Sequence, residues 1–307
     1  MKVTVRKKNK KPLHYKLSIP RRIFLTVNTL LLLSLALLCA FPFLNLLALS
    51  FSESNAAGMV TVIPKNFTLN AYTYLINKPQ FFSAFWMSIK RAVLGTALAL
   101  AVMVLAAYPL SLTGERLHGR RVYIAICITS MFFSGGLIPT FMVIKSLGLY
   151  NKIWALVLPQ AMNCWSMILL INFFRKVPAE LKESAKIEGA GHFRILLNIV
   201  VPSSTASIAT VVLLTAIQHW NSWFDGYIYM SSENYPLQTY IYNLLDTLKA
   251  LQQNTNKTAE DLELLKTLGD STLRSAQVFI AIIPIMLVYP MAQKYFIKGL
   301  LLGAVKE

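Results

Sequence analysis

The sequence predicts an all-α polytopic membrane protein with six transmembrane helices. Three observations carry that reading. Of the 307 residues, 55% are hydrophobic and only 14% are charged, against about 25% charged in a soluble domain. The mean hydropathy is +0.53. Six runs contain no Asp, Glu, Lys or Arg over 19 to 30 residues: 23–52, 92–114, 122–144, 153–174, 195–224 and 275–293. A bilayer core about 30 Å thick needs roughly 20 apolar residues as helix. Each run reaches or approaches that span, which excludes a soluble enzyme, a DNA-binding domain and a disordered chain.

Charge sets the orientation. The net charge is +17, and an even helix count puts both termini on one side. That side holds 20 Lys and Arg against 5 acids; the other holds 8 against 8, with Lys90 and Arg91 near the mouth of the second helix. Basic residues concentrate on the cytoplasmic side of membrane proteins, so both termini are expected inside. The basic balance then reflects topology and an anionic leaflet, not a nucleic-acid partner. Cys39, Cys127 and Cys164 lie singly in apolar runs, which makes neither a disulfide frame nor a zinc site.

The elements follow in order. Residues 1–22 form a basic cytoplasmic tail, and 23–298 a six-helix membrane domain. The first helix runs from Ile23 to about Leu49 and is too long for a signal-peptide core. An outside segment broken by Gly58, Pro64 and Pro79 follows. The second helix ends at Ala107-Tyr108-Pro109-Leu110, before the short basic loop 114–121. Gly135, Gly136 and Pro139 should bend the outer third of the third helix. A turn at Gly148–Asn151 leads to the fourth. The loop 175–202 lies between the fourth and fifth helices, the latter starting near Ile199. Residues 225–274 form an outside polar segment. The sixth helix carries Pro284 and Pro290 and ends at Gln293, and 299–307 are a cytoplasmic tail.

The loop 175–202 is the most informative stretch. Pro178 suits a first helical turn, Glu180 suits the positive end of the helix dipole, and Gly189 can close the helix in the left-handed region. A short helix from Pro178 to Glu188 is therefore expected, with Gly189-Ala190-Gly191 as a hinge into a second one. Ser184 and Ala185 leave a smooth knob fit to enter a groove on another protein. Lys182, Lys186 and Arg194 equally suit an amphipathic helix lying on lipid. Elsewhere, no paired carboxylates occupy the runs and the four histidines are scattered. Gly114-Glu-Arg-Leu-His-Gly119 lacks the Lys and Ser/Thr of a P-loop. The chain is therefore expected to be no enzyme, with energy for any transport supplied by a partner.

The register of this loop resembles the EAA loop of bacterial ABC importer permeases. Glu183-Ser184-Ala185, Gly189, and Ile199-Val200-Val201-Pro202 keep its spacings, with Ser184 in place of Ala and Val201 in place of Leu. Ala107-Tyr-Pro-Leu-Ser111, Gly135-Gly-Leu-Ile-Pro139, Trp220-Asn221 and the stretch from Gln293 are similar to the LplC/YtcP-like branch of carbohydrate permeases. The resemblance covers Ile23 to Glu307. It implies the type I ABC importer fold, with a cytoplasmic coupling helix that docks on an ATPase through Glu183, Ser184, Ala185, Lys186, Glu188, Gly189 and Ala190. It implies a second permease as heterodimer partner, two copies of a cytoplasmic ABC ATPase, and an extracellular solute-binding lipoprotein, all at a bacterial cell membrane. No cofactor or metal is expected on this chain, since ATP and Mg²⁺ would sit on the ATPase. The implied cargo is an oligosaccharide from a complex polysaccharide. A peptide or other solute, or a scaffold or sensor role, are the alternatives. Sugar rings favour aromatic faces with hydrogen-bonding side chains, which makes Asn163, Trp165, Trp220, Asn221 and Trp223 candidates for the path. Trp near helix ends also serves as an interfacial belt. The polar start of the fifth helix, Pro202-Ser-Ser-Thr-Ala-Ser207, suits either helix packing through small residues or substrate contact.

Overall fold

In a computed structural model of the chain, the structure describes residues 18–53, 62–112, 117, 119–133, 135–253, 258 and 271–304. Most of the basic tail 1–22, much of the 114–121 loop, residues 254–257 and 259–270 of the outer segment, and the last three residues lie outside that set. Among the described residues there is no strand.

Three helices among the described residues are long and apolar enough to cross a membrane. They are α1 (Ile19–Ser50), α3 (Pro79–Ser111) and the Ser271–Val288 part of α14 (Ser271–Ala304). The short α2 (Asn70–Ile76) precedes α3. The other three apolar runs are bent pairs, and counting each pair as one span gives six. The third run is α4 (Arg120–Phe132) and α5 (Leu137–Ser146), 115° apart. Gly136, at φ +83°, caps α5 there; with no Cβ it takes that φ without strain. The fourth is α6 (Trp154–Val157), a 3₁₀ turn through Pro159, and α7 (Cys164–Arg175), bent by 49°. The fifth breaks by 84° between His192–Ser203 and α11 (Thr205–Asn221). Its first part holds α9 (His192–Ile195), a π turn at Leu196–Val200 and α10 (Val201–Ser203). A π turn and Pro202 are both ordinary causes of a kink. The expected single helices four and five are thus broken ones, because proline removes a donor that a continuous ladder needs.

Two boundaries differ from the sequence reading. Helix α3 starts at Pro79, so Lys90 and Arg91 lie well inside it and not at its mouth. Helix α14 continues past Gln293 to Ala304, since Lys, Leu and Ala extend a helix readily. The segment after α11 is itself helical: α12 (Phe224–Tyr229) and α13 (Leu237–Gln253). Leu237 and Ile241 of α13 are buried with Leu75 of α2 and Phe81 of α3, so this segment caps one end of the bundle. The turn at Gly148–Asn151 forms as expected. The Asn151 side-chain oxygen accepts hydrogen bonds from Ser231 and Asn234, which pins the turn to the cap.

Helix α3 is the hub, packing on α7, α11, α13 and α2. Its buried positions Ala84, Ser88, Arg91, Gly95, Ala99, Met103 and Ala107 fall three or four apart, on one face. Small residues at that spacing let membrane helices approach closely. The closest approach is at Gly95, where an added Cβ would collide with the buried His219 ring of α11. Gly95→Ala should therefore destabilise the fold by about 1–3 kcal/mol through overpacking. Thermal denaturation in detergent measures this, and adding His219→Ala should recover most of the loss. An unchanged midpoint in Gly95→Ala would refute the close approach.

The outward face of α1 is apolar and exposed over nearly its whole length. That is the state of a lipid-facing helix. It packs on α14 and is tied to α2 at its C-terminal end, where Ser50 Oγ and Tyr72 Oη lie 2.7 Å apart and Phe51 stacks on Phe67.

Candidate functional site

The 175–202 loop builds a projecting helix. Pro178 precedes α8 (Ala179–Ile187), Glu180 sits in its first turn and Lys186 in its last. Both charges complement the helix dipole. Gly189 adopts φ +82°. Its N–H donates to Lys186 O at 2.9 Å, and the Ala190 N–H donates to Ala185 O at 2.9 Å. That pair of bonds is the Schellman closure, which needs a left-handed residue at the Gly189 position. Gly191, by contrast, has φ −69° and needs no glycine. Ala185 and Ala190 pack on a core drawn from α3, α4, α7 and the fifth span. Lys182 reaches back to Phe174 O at 3.4 Å, and burial pushes its ammonium below the usual lysine range. Those contacts fix one face. Glu183, Ser184, Lys186, Ile187, Glu188 and Gly189 are left exposed on the others. Ile187 is 88% exposed and Phe193, just beyond, 72%. Large apolar side chains that open on a short polar helix mark a contact surface.

At the capped end lies a buried ion pair that the sequence reading missed. The Arg91 side chain is fully buried and that of Asp225 is 15% exposed. Arg91 Nη2 pairs with Asp225 Oδ2, and Arg91 Nη1 donates to Ser222 O at 3.0 Å. Gln160 Nε2 donates to the same carboxylate at 2.8 Å. Ser222 Oγ and the Gly226 N–H donate to its other oxygen, each at 2.9 Å. One carboxylate thus ties α3, the break before α7, and the α11–α12 turn. The available signal was an arginine in register with the small-residue stripe of α3, together with an acid directly after the fifth apolar run.

Among known proteins, the chain is 37% identical over 278 residues to the polygalacturonan/rhamnogalacturonan transport system permease protein YtcP of Bacillus subtilis, covering 90% of this chain and 95% of that one. It is 38% identical over 290 residues to protein LplC of the same organism, covering 93% and 95%. The chain belongs to the ABC transporter permeases. A solved bacterial ABC transporter, involved in the import of the acidic polysaccharide alginate, contains a chain that matches it with a TM-score of 0.79. Identity there is 31%, over 91% of this chain and 99% of the other. No family model matches the sequence.

The permease fold separates the five path candidates. Trp220 is 6% exposed, donates from Nε1 to Ala281 O at 3.0 Å and meets Phe85 edge-on. Its polar handle is used inside the chain, so it serves packing between α11 and α14. Asn163 caps α7, its Oδ1 accepting from the Ser166 N–H at 3.0 Å, which satisfies one of the helix's free donors. Trp223 is half-buried and stacks on Tyr242 at 3.9 Å. Trp165, at 55%, and Asn221 remain exposed. The Gln160–Asp225 bond brings the two groups of candidates to the same end of the bundle.

Proposed function

We propose that this permease supplies half of the translocation path of an ATP-driven importer of oligosaccharides, with both termini in the cytoplasm. The other half comes from a second permease. Two copies of a cytoplasmic ABC ATPase drive the cycle, and an extracellular solute-binding lipoprotein delivers the cargo to the capped end. The observation that carries this reading is α8, a rigidly closed helix anchored on one face and open on the others. Seated in an ATPase groove, Glu183 to Ala190 would move as one lever when ATP closes the ATPase pair. Anchorage through Ala185, Ala190 and Lys182 passes that motion to α3 and α7. ATP and Mg²⁺ belong to the ATPase in this scheme.

The sugar assignment is supported by two relatives, one a permease of a polygalacturonan/rhamnogalacturonan transport system and one from an importer of the acidic polysaccharide alginate. Both cargoes carry carboxylates, so a uronate-bearing oligosaccharide is the favoured substrate class. The purified chain should hydrolyse no ATP, and activity should appear only when the second permease and the ATPase are added. Robust turnover by this chain alone, after contaminating ATPases are removed, would end the proposal.

A further inference from the structure

A cleft of about 270 Å³ opens between the end of α7 and the start of α11. Its lining includes Lys176, Ser203, Ser204 and Ser207, with Phe173 and Val177 forming an apolar wall. Ser204 is 5% exposed and Ser207 4%. Neither hydroxyl has a hydrogen-bond partner among the described residues, although Ser204 stands at the N-cap of α11. A serine there normally accepts from the first free N–H groups of the helix, and this one makes no side-chain cap. Hydroxyls that line an open cleft keep their donor and acceptor capacity for an occupant.

The charge around the cleft selects the occupant. The start of α11, a helix of 17 residues, carries the positive end of its dipole. The Lys176 ammonium lies 5.0 Å from the centre of the Phe173 ring. A cation, a positive helix end and three serine hydroxyls suit an anion that also carries hydroxyl groups. We propose that this cleft is an anion subsite of the transport path, holding the carboxylate of a uronate unit as the oligosaccharide leaves on the docking-helix side. Lys176 binds the carboxylate by a charge-assisted hydrogen bond. Ser204 and Ser207 bond the carboxylate or the ring hydroxyls, and the ring's C–H face lies on the apolar wall. The subsite rests on the oligosaccharide import proposed above, because without a sugar path the cleft has no cargo. It goes beyond that reading by naming the group recognised and the residues that recognise it.

The test uses the complete importer in vesicles with trigalacturonate as the acidic probe and galactotriose as its neutral counterpart. Lys176→Gln should lower trigalacturonate uptake by about tenfold. Lys176→Arg should keep most of it, and Ser204→Ala with Ser207→Ala should lower it by several-fold. ATPase co-purification should stay normal in every variant, because Lys176 lies outside the exposed surface of α8. Equal trigalacturonate uptake in wild type and Lys176→Gln would overturn the subsite and leave the import function standing. So would uptake of galactotriose alone by the wild type. A Lys176→Gln defect seen only in vesicles containing phosphatidylglycerol would assign the cleft to a lipid phosphate and overturn it too. Failure of the wild type to import either probe, with its partners assembled and ATP hydrolysed, would overturn the oligosaccharide reading along with the subsite.

Discussion

Asp225→Asn should destabilise the permease by about 3–5 kcal/mol, the usual consequence of removing one partner from a buried pair. The reason is the full burial of Arg91. Asparagine keeps the volume and can still accept hydrogen bonds, but it leaves a guanidinium charge out of water without a counter-ion. The loss should appear as early melting of the detergent-solubilised importer and as low amounts in the membrane. The pair itself need not be a large net stabiliser. Desolvation offsets much of the Coulomb attraction, and apolar replacements of buried pairs are often neutral or better. The double variant Arg91→Leu, Asp225→Asn should therefore recover most of the stability lost in the single one. What it should not recover is the tie between α3, Gln160 and the α11–α12 turn. If that tie holds the capped end in one arrangement, the double variant will be stable yet transport poorly. A single variant as stable as wild type would mean that Arg91 has another partner in the membrane.

The second large effect is expected at Gly189. Its φ of +82° lies where a Cβ meets the backbone, at a cost of order 1 kcal/mol for a non-glycine residue. A Cβ there meets no atom of this chain within 4 Å. Gly189→Val should leave the permease folded and inserted. It should open the Schellman closure and place a branched side chain on the surface proposed to dock. ATPase docking should weaken by roughly tenfold or more, and uptake should fall with it. Glu183→Lys should act on the same surface through charge. Gly191→Ala should be near neutral, because φ −69° is open to any residue. Co-purification of the ATPase with the permease pair reads out the docking, and sugar uptake reads out its consequence. Full docking and full uptake in Gly189→Val would move the lever to another part of the chain.

How much of this was legible in the residues can be judged from particular elements. The α8 helix was readable almost to its ends, because everything that makes it is local. Proline starts it, an acid and a base match its dipole, and a glycine three residues beyond Lys186 closes it. The apolar runs were readable as spans for the same reason, since a bilayer selects on composition along one stretch of chain. The breaks before α7 and α11 were partly legible from Pro159 and Pro202. The angles were not, because a freed carbonyl can be satisfied by a neighbour in several ways.

The sequence by itself therefore determined which runs are apolar enough to span, the α8 helix with its glycine closure, and the membership that the loop register announces. Only the tertiary structure decided which polar residues do what at the capped end. Arg91 and Asp225 lie 134 positions apart, and no local pattern pairs them. They meet because the small residues of α3 bring α11 into close contact. The same packing turned Trp220 inward onto Ala281 and gave Asn163 to the first turn of α7. Composition alone had offered both for sugar contact. Short-range propensities and hydropathy are written along the chain. A side chain's hydrogen-bond partner is fixed only once the helices that carry it have packed.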